Sequence, residues 1–163
     1  RYGGIWLDST FFCTGDIQPY FDMPVWSIKR PDYRHVSVAC GEFANYSFGC
    51  TTEYRKVFAI LREYLLDYWE HYDYMIDYLF LDYLIVLARK QNDYVNQAFN
   101  EIIPNNKNCD ELLKVLGTTF DSSEWEKLKD NTELFKLTWK AAFPIEQNGK
   151  ETFYKKLMNN ELV

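Results

Sequence analysis

A single carboxylate stands directly behind a short apolar run near the start of the chain. The chain opens RYGGIWLDST, in which the pair Gly3 and Gly4 precedes the β-prone run IWL and Asp8 follows it. A glycine pair is typical of a helix end, and the apolar run suits a buried strand. Because open α/β sheets bind ligands at the carboxyl ends of their strands, Asp8 and Thr10 are candidate ligand-binding residues.

Composition and motif content exclude several classes of function. The 163 residues carry a net charge of −6 with both signs interspersed, so no basic stripe is present to follow a nucleic acid backbone. The four cysteines lack zinc-ligand spacing and are expected to be free thiols in a reducing compartment. Glycine-rich phosphate loops and the serine nucleophile motif are absent, and no apolar run reaches the ~18 residues of a spanning helix.

The elements that must position these groups change in character near Gly49. Strands and loops are predicted before it, and helices dominate after it. The pattern predicts amphipathic helices at 57–68 and 95–103, a buried core helix at 75–87, a helix capped by Asp121, a strand at 134–139 and a helix at 152–158. We therefore expect one α/β domain over residues 1–163, with Trp6 and Trp139 in its core.

Three segments resemble a known family. YGGIWLDST at 2–10 resembles the Y-G-G-I-[WY]-[LI]-D-x-[DT] signature of DXD-type glycosyltransferases with a GT-A fold, in the capsular polysaccharide synthesis branch. IDYLFLDY at 76–83 resembles the I-D-Y-F-L-x-D segment of that branch, and FKLTWK at 135–140 resembles its Y-K-L-T-x-K segment. The segments are widely spaced and in the family's order, so the resemblance spans most of the chain.

The resemblance implies a GT-A-like nucleotide-diphospho-sugar transferase fold, of which this chain would be the C-terminal half, with few strands and a mostly helical second part. Residues 1–49 would form the strand-and-loop donor-site part, and residues 50–163 the mainly helical acceptor-side part. The implied activity is that of a bacterial hexosyltransferase in capsular or exopolysaccharide synthesis. It would move a sugar from a nucleoside-diphosphate sugar to a saccharide or lipid-linked saccharide, and the chain alone is expected to be inactive.

The resemblance also assigns residues to the donor site. In such enzymes the glycines end a helix, the apolar run is a central strand, and the aspartate meets the donor's sugar and diphosphate. The residues that match the motifs and are assigned to donor binding are Gly3, Gly4, Asp8, Thr10, Lys136 and Lys140.

Two sources of positive charge for the leaving diphosphate remain open. Asp8 can hold a divalent cation, Mn²⁺ or Mg²⁺, which would neutralise the diphosphate. Thr10 stands where the stricter motif has a second aspartate, which leaves one carboxylate as the protein's ligand. Lys136 and Lys140 are the alternative charge partners, unless they are simply the solvated edge of a strand.

Asp77 is the candidate catalytic base. A carboxylate inside an apolar helix is costly unless it is paired, and the raised pKa that burial gives would suit a base toward an acceptor hydroxyl. The structural alternative is that Asp73 and Asp77 lie near a helix N-terminus, where the dipole favours negative charge without any function. Asp82, ~140° away around the same helix, is the second candidate for the role.

The resemblance also implies which partners the protein has and where in the cell it acts. The implied partners are the donor and the acceptor, without nucleic acid, and the implied place is the cytoplasm, with peripheral association at the inner face of the membrane as one option.

Aromatic residues make up 18% of the chain, with tyrosines crowded over 54–83. A sugar-binding module without catalysis would use these rings, and a helical interaction domain would explain them without any site.

Overall fold

The computed structural model describes residues 3–30, 32 and 37–163. The strands of this part of the chain are β1 (Gly4–Leu7), β2 (Phe11–Cys13), β3 (Val25–Trp26), β4 (Ser47–Cys50), β5 (Leu134–Lys136), β6 (Glu146–Gln147) and β7 (Lys150–Glu151). Its helices are α1 (Gln18–Phe21), α2 (Arg55–His71), α3 (Phe80–Gln91), α4 (Asp93–Asn100), α5 (Glu111–Val115), α6 (Ser122–Lys129) and α7 (Phe153–Met158). The predicted mixed α/β class is confirmed.

The first of two units comprises the described residues of 3–7 and 18–104. Its three strands form an antiparallel sheet in the order β1-β4-β3. The apolar stripes of α2 and α4 supply fully buried side chains, Val57 from the first and Val95 and Phe99 from the second. The helix predicted at 57–68 is therefore confirmed, and the one predicted at 95–103 exists as α4 but ends at Asn100, before Ile102 and Ile103.

β1 lies at the edge of this three-stranded sheet, and the expectation that its apolar run is buried is wrong. A central place in a larger sheet stays a prediction. In the described part of the chain β1 pairs with β4 alone, with Trp6 opposite Phe48. Because a single neighbouring strand covers little of its surface, every side chain of β1 stays at least partly exposed. Trp6 is 55% exposed and does not lie in the core.

The helix predicted over 75–87 begins only at Phe80. The Oδ1 atom of Asp77 accepts a hydrogen bond from the backbone N–H of Leu79 at 2.7 Å, and the carbonyl oxygen of Asp77 accepts one from Phe80 at 3.1 Å. An aspartate that bonds the backbone two residues on favours a turn over a helix. Asp77 therefore lies exposed ahead of α3, and its predicted place inside an apolar helix is wrong.

The second unit comprises residues 8–17 and 105–163. β2 pairs antiparallel with β5, and β6 with β7. Asp121 caps α6, since its Oδ1 accepts a hydrogen bond from the N–H of Glu124 at 2.8 Å, and the predicted terminal helix is α7. The predicted strand at 134–139 is shorter and ends at Lys136. The apolar core of this unit consists of Leu112, Leu116, Trp125, Leu128, Phe135, Phe153 and Leu162.

The two units interleave along the chain, because residues 8–17 pack with the C-terminal segment. The predicted division into a donor part at 1–49 and an acceptor part at 50–163 concerns the roles of the two parts. That division stays a prediction.

A buried asparagine fixes the start of β5. Asn106 is fully buried, and its Oδ1 accepts hydrogen bonds from the backbone N–H groups of Glu133 and Leu134, both at 2.9 Å. Its backbone has a φ of 49°, in the left-handed region that asparagine tolerates better than most residues. The side chain therefore satisfies two strand donors that lie next to the buried core.

We expect Asn106→Ala to destabilise the protein by about 1–3 kcal/mol, because two backbone donors lose their acceptor. Asn131→Ala is the matched control, since Asn131 is exposed and has a similar φ of 51°. The control subtracts the cost of alanine in a left-handed conformation. Urea unfolding measures both free energies, and equal losses would mean that the side-chain hydrogen bonds contribute nothing.

Candidate functional site

The pairing of β2 with β5 carries Lys136 to the turn that contains Asp8. Phe11 lies opposite Lys136 in the register of the two strands, and the N–H of Leu137 donates to the carbonyl oxygen of Thr10 at 3.0 Å. The N–H of Phe11 donates to the carbonyl oxygen of Asp8 at 3.2 Å and closes the turn. The ladder therefore places a lysine beside residues that come more than 120 positions earlier in the chain.

One oxygen of Asp8 receives three hydrogen bonds. Its Oδ1 accepts from the backbone N–H of Thr10 at 2.9 Å, from the hydroxyl of Thr10 at 2.6 Å and from Nζ of Lys136 at 3.2 Å. The hydroxyl oxygen of Thr10 in turn accepts from Nζ of Lys136. The structure therefore brings together three predicted donor-binding residues.

These hydrogen bonds keep Asp8 ionised. They lower the pKa of its carboxyl from 3.8 to about 2, with the hydroxyl of Thr10 as the largest cause, followed by the N–H of Thr10. The ammonium of Lys136 contributes less, and partial desolvation opposes the shift. At neutral pH the Asp8 carboxylate is thus a hydrogen-bond acceptor and has no proton to donate.

The open position of this cluster is the second oxygen of Asp8. Nζ of Lys136 donates to Asp8, to Thr10 and to the carbonyl oxygen of Leu137, the last at 3.3 Å, so its three protons are engaged. Oδ2 of Asp8 accepts no hydrogen bond from the described residues, and the carboxylate is only partly buried. The cluster thus offers an oriented carboxylate oxygen beside a fixed positive charge.

The same geometry is a poor set of ligands for a divalent cation. Hard cations take six or more oxygen ligands, usually from several carboxylates, and residues 3–30, 32 and 37–163 contain no group of three or more His, Cys, Asp or Glu side chains suited to a metal. Oδ1 of Asp8 is already bound to an ammonium, which repels a second cation. The donor atoms at Asp8 alone do not fit the predicted Mn²⁺ or Mg²⁺.

Gly3 and Gly4 lie in the first unit, at one side of a groove of about 940 Å³ between β1, β4 and α2. Gly3 has a φ of 79°, and a Cβ atom there would lie 2.9 Å from the carbonyl oxygen of Cys50, so only glycine fits. The opposite wall carries Arg55 and Arg62 of α2, at the i, i+7 spacing of one helix face. Lys56 also lines the groove. The positive charges of these three basic side chains make the groove suited to an anionic ligand.

These three basic residues were not predicted as site residues. The signal that could have found them is their spacing on the polar face of α2, which is visible in the sequence. The sequence does not show that residues of β1 line the same groove as this face of α2.

Lys140 lies in an exposed bend after β5 and forms no hydrogen bond with the Asp8 cluster among the described residues. Its Nζ sits 5.8 Å from the centroid of the Trp139 ring, a cation–π arrangement. Trp139 is 80% exposed, so the expectation that it packs in the core is wrong, because β5 ends at Lys136 before reaching it.

The buried carboxylate near α3 is Asp82, whereas Asp77 is exposed. Asp82 lies in the first turn of α3 and is only 5% exposed. Burial raises the pKa of its carboxyl, and a hydrogen bond from the side chain of Asn45 partly opposes the shift. Its Oδ1 has no hydrogen-bond partner in the part of the chain that the structure describes. The chemical argument made for Asp77 therefore applies to Asp82.

The geometry defines a mixed α/β protein with a lysine-paired aspartate behind a strand. The chain matches the family model described as capsular polysaccharide synthesis protein over residues 1–157, and it belongs to that family. Comparisons with curated proteins and with solved structures found no match. Family membership indicates involvement in capsular polysaccharide synthesis. Across the described residues, no helix is both long and apolar enough to cross a membrane.

The lowered pKa of Asp8 predicts a pH dependence of stability that Asp8→Asn removes. The folded pKa of about 2 lies below the ordinary 3.8, so the stabilisation is complete well above pH 3.8 and is lost as the pH falls through 3.8 toward 2. The difference in unfolding free energy between wild type and Asp8→Asn should therefore shrink between about pH 5 and about pH 2. Urea unfolding across this range measures it, and a constant difference would contradict the assigned hydrogen bonds.

Proposed function

We propose that the protein is a glycosyltransferase with a GT-A-like fold, which transfers a sugar from a nucleoside-diphosphate sugar to a saccharide or lipid-linked saccharide acceptor. The observation that carries the proposal is the Asp8 cluster, in which an ionised carboxylate presents one open oxygen beside an engaged ammonium. The family's part in capsular polysaccharide synthesis supports sugar chemistry. The proposed place of action is the cytoplasm, with peripheral association at the inner face of the membrane as one option.

Asp8 and Lys136 have different tasks in this proposal. Oδ2 of Asp8 accepts a hydrogen bond from a hydroxyl of the donor sugar and so orients the anomeric carbon. During transfer the acceptor's hydroxyl oxygen forms a bond to that carbon and gives up its proton to the base. The bond from the carbon to the diphosphate oxygen breaks, and the diphosphate keeps the electron pair. The ammonium of Lys136, fixed by Asp8 and Thr10, offsets part of the charge that develops on the leaving group.

Gly3 and Gly4 keep a proposed role in donor binding through the groove that they line. Arg55, Lys56 and Arg62 on the opposite wall give this groove of the first unit a positive charge, and the exposed ring of Trp6 offers an apolar face. Lys140 stays a proposed donor contact on the basis of the family motif alone.

The divalent cation stays a proposal without a step assigned to it. If Mn²⁺ or Mg²⁺ takes part, the diphosphate itself and water must supply most of its ligands, because Asp8 offers one open oxygen. Transfer measured with added cation and with a chelator decides whether one is required.

A sugar-binding module without catalysis is the second candidate. The exposed Trp139 ring with Lys140 beside it is a surface on which a sugar ring can stack. This candidate predicts saccharide binding that Trp139→Ala abolishes, together with the absence of transfer from any nucleotide-sugar donor.

We expect Asp8→Asn to reduce transfer by about 10²-fold, the scale of losing one group that orients or stabilises the transition state. Lys136→Met should cause a comparable loss, because it removes both the charge and the contact that holds Asp8. The matched controls are Asp130→Asn and Lys107→Met, which break an exposed ion pair of the same unit. Turnover of the full-length protein is measured at saturating donor, and activity within a few-fold of wild type would remove Asp8 from the site.

Asp77 stays the proposed base, with its exposure as an advantage because an acceptor hydroxyl can reach it. Asp77→Asn should then lower transfer per folded molecule by about 10²–10⁴-fold. Asp73→Asn is the control, an exposed carboxylate four residues away. An unchanged rate in Asp77→Asn with a loss in Asp82→Asn would move the role to the buried carboxyl, whose raised pKa also suits a base.

A further inference from the structure

Large apolar side chains are exposed side by side where α2 ends and α3 approaches. We call this surface the aromatic bend, and it consists of Trp69, Tyr72, Tyr74, Met75, Ile76 and Tyr78. Each of these residues is about half exposed or more, and Tyr78 reaches 86%. Exposed apolar residues scattered singly need no explanation, whereas a contiguous group marks an interaction surface.

The aromatic bend is held in place by the helices behind it. The hydroxyl of Tyr68 donates to the carbonyl oxygen of Tyr74 at 2.8 Å, and the ring of Tyr68 lies 4.9 Å from that of Tyr72 and 4.3 Å from that of Phe80. The rings of Tyr72 and Tyr74 meet edge to face at 5.9 Å. A surface whose rings are already ordered loses little side-chain entropy when a partner covers it.

The charges around the aromatic bend have one sign. Residues 64–88 contain five carboxylates and neither lysine nor arginine. Four of these carboxylates are exposed, namely Asp67, Glu70, Asp73 and Asp77. His71 is the one basic side chain of the stretch, and its Nδ1 lies 2.7 Å from the carbonyl oxygen of Asp67. The surface thus combines apolar rings with an acidic field.

We propose that the aromatic bend docks a basic segment of a partner protein, in which lysine or arginine residues alternate with apolar ones. The apolar side chains of the segment cover Met75 and Ile76, while its cations meet the ring faces and the interspersed carboxylates. An anionic membrane surface fits worse, because the carboxylates would face lipid phosphates. A second copy joined through the same surface would place like charges opposite each other. The inference rests on none of the transfer chemistry, and a docked segment would cover Asp77, the proposed base, so the two events would exclude each other at that side chain.

Two synthetic peptides test the proposal on the whole chain. One alternates Lys or Arg with Leu or Trp, and the other has Glu at every Lys and Arg position. We expect the basic peptide to bind in calorimetry, more weakly as salt is added, and the acidic one not to bind. Equal binding of both peptides to the protein would overturn the proposal. Stronger binding of the protein to vesicles of phosphatidylcholine and phosphatidylserine than to the basic peptide would also overturn it. So would self-association of the protein in sedimentation, if the double variants described next abolish that self-association. No nucleotide-sugar is present, so failure here leaves the transfer proposal untouched.

Two double variants locate the binding surface. Ile76→Ser with Tyr78→Ser removes apolar anchors, and Glu70→Lys with Asp73→Lys reverses two exposed charges. Each should weaken binding of the basic peptide about tenfold or more, the effect of losing interface anchors. The control is Ile145→Ser with Met158→Ser, exposed apolar residues of the second unit, which should leave affinity unchanged. Circular dichroism verifies folding, and the charge variant, which alters exposed side chains alone, decides the case if the first variant misfolds. Unchanged affinity in the charge variant would overturn the proposal.

Discussion

The antiparallel pairing of β2 with β5 is the constraint on which the second unit and its site depend. It joins a segment near the start of the chain to one 128 residues later, as measured between Asp8 and Lys136. Closing so long a loop costs conformational entropy. Burial of apolar surface on one face of the strand pair, where Phe12 lies opposite the fully buried Phe135, offsets that cost. On the other face the same register sets Lys136 beside the turn. Core packing and the charge arrangement at Asp8 are therefore two outcomes of one strand pairing.

Local patterns predict the parts of this fold that local contacts build. The stripes of α2 and α4, the Asp121 cap of α6 and the terminal helix α7 are all readable because each depends on residues within a turn or two. The start of α3 is missed because the apolar pattern over 75–79 competes with a turn that Asp77 stabilises through its own side chain. The exposure of Trp6 and Trp139 depends on where strands end and what covers them, which spacing does not encode.

The candidate site likewise has features that the sequence predicts and features that only the tertiary structure shows. Motif resemblance predicts that Asp8, Thr10 and Lys136 share a role, and the structure brings these three together. The resemblance does not predict that Oδ1 of Asp8 accepts three hydrogen bonds while Oδ2 accepts none from the described residues. This difference between the two oxygens follows from the strand register. Asp82 illustrates the converse, since the sequence ranks it behind Asp77 and only tertiary packing shows which carboxylate is desolvated.

The environments of Asp8 and Asp82 push their protonation equilibria in opposite directions. Hydrogen-bond donors hold the pKa of Asp8 near 2, so this carboxylate stays charged across the physiological range and serves to accept hydrogen bonds. Burial raises the pKa of Asp82, so of these two carboxyls Asp82 binds a proton more readily. Environments that shift pKa values in opposite directions let proteins give acceptor and base roles to the same chemical group. In the transfer reaction proposed above, Asp8 would orient the sugar. Asp77 or Asp82 would take the acceptor's proton, because the low pKa of Asp8 makes its carboxylate a weak base.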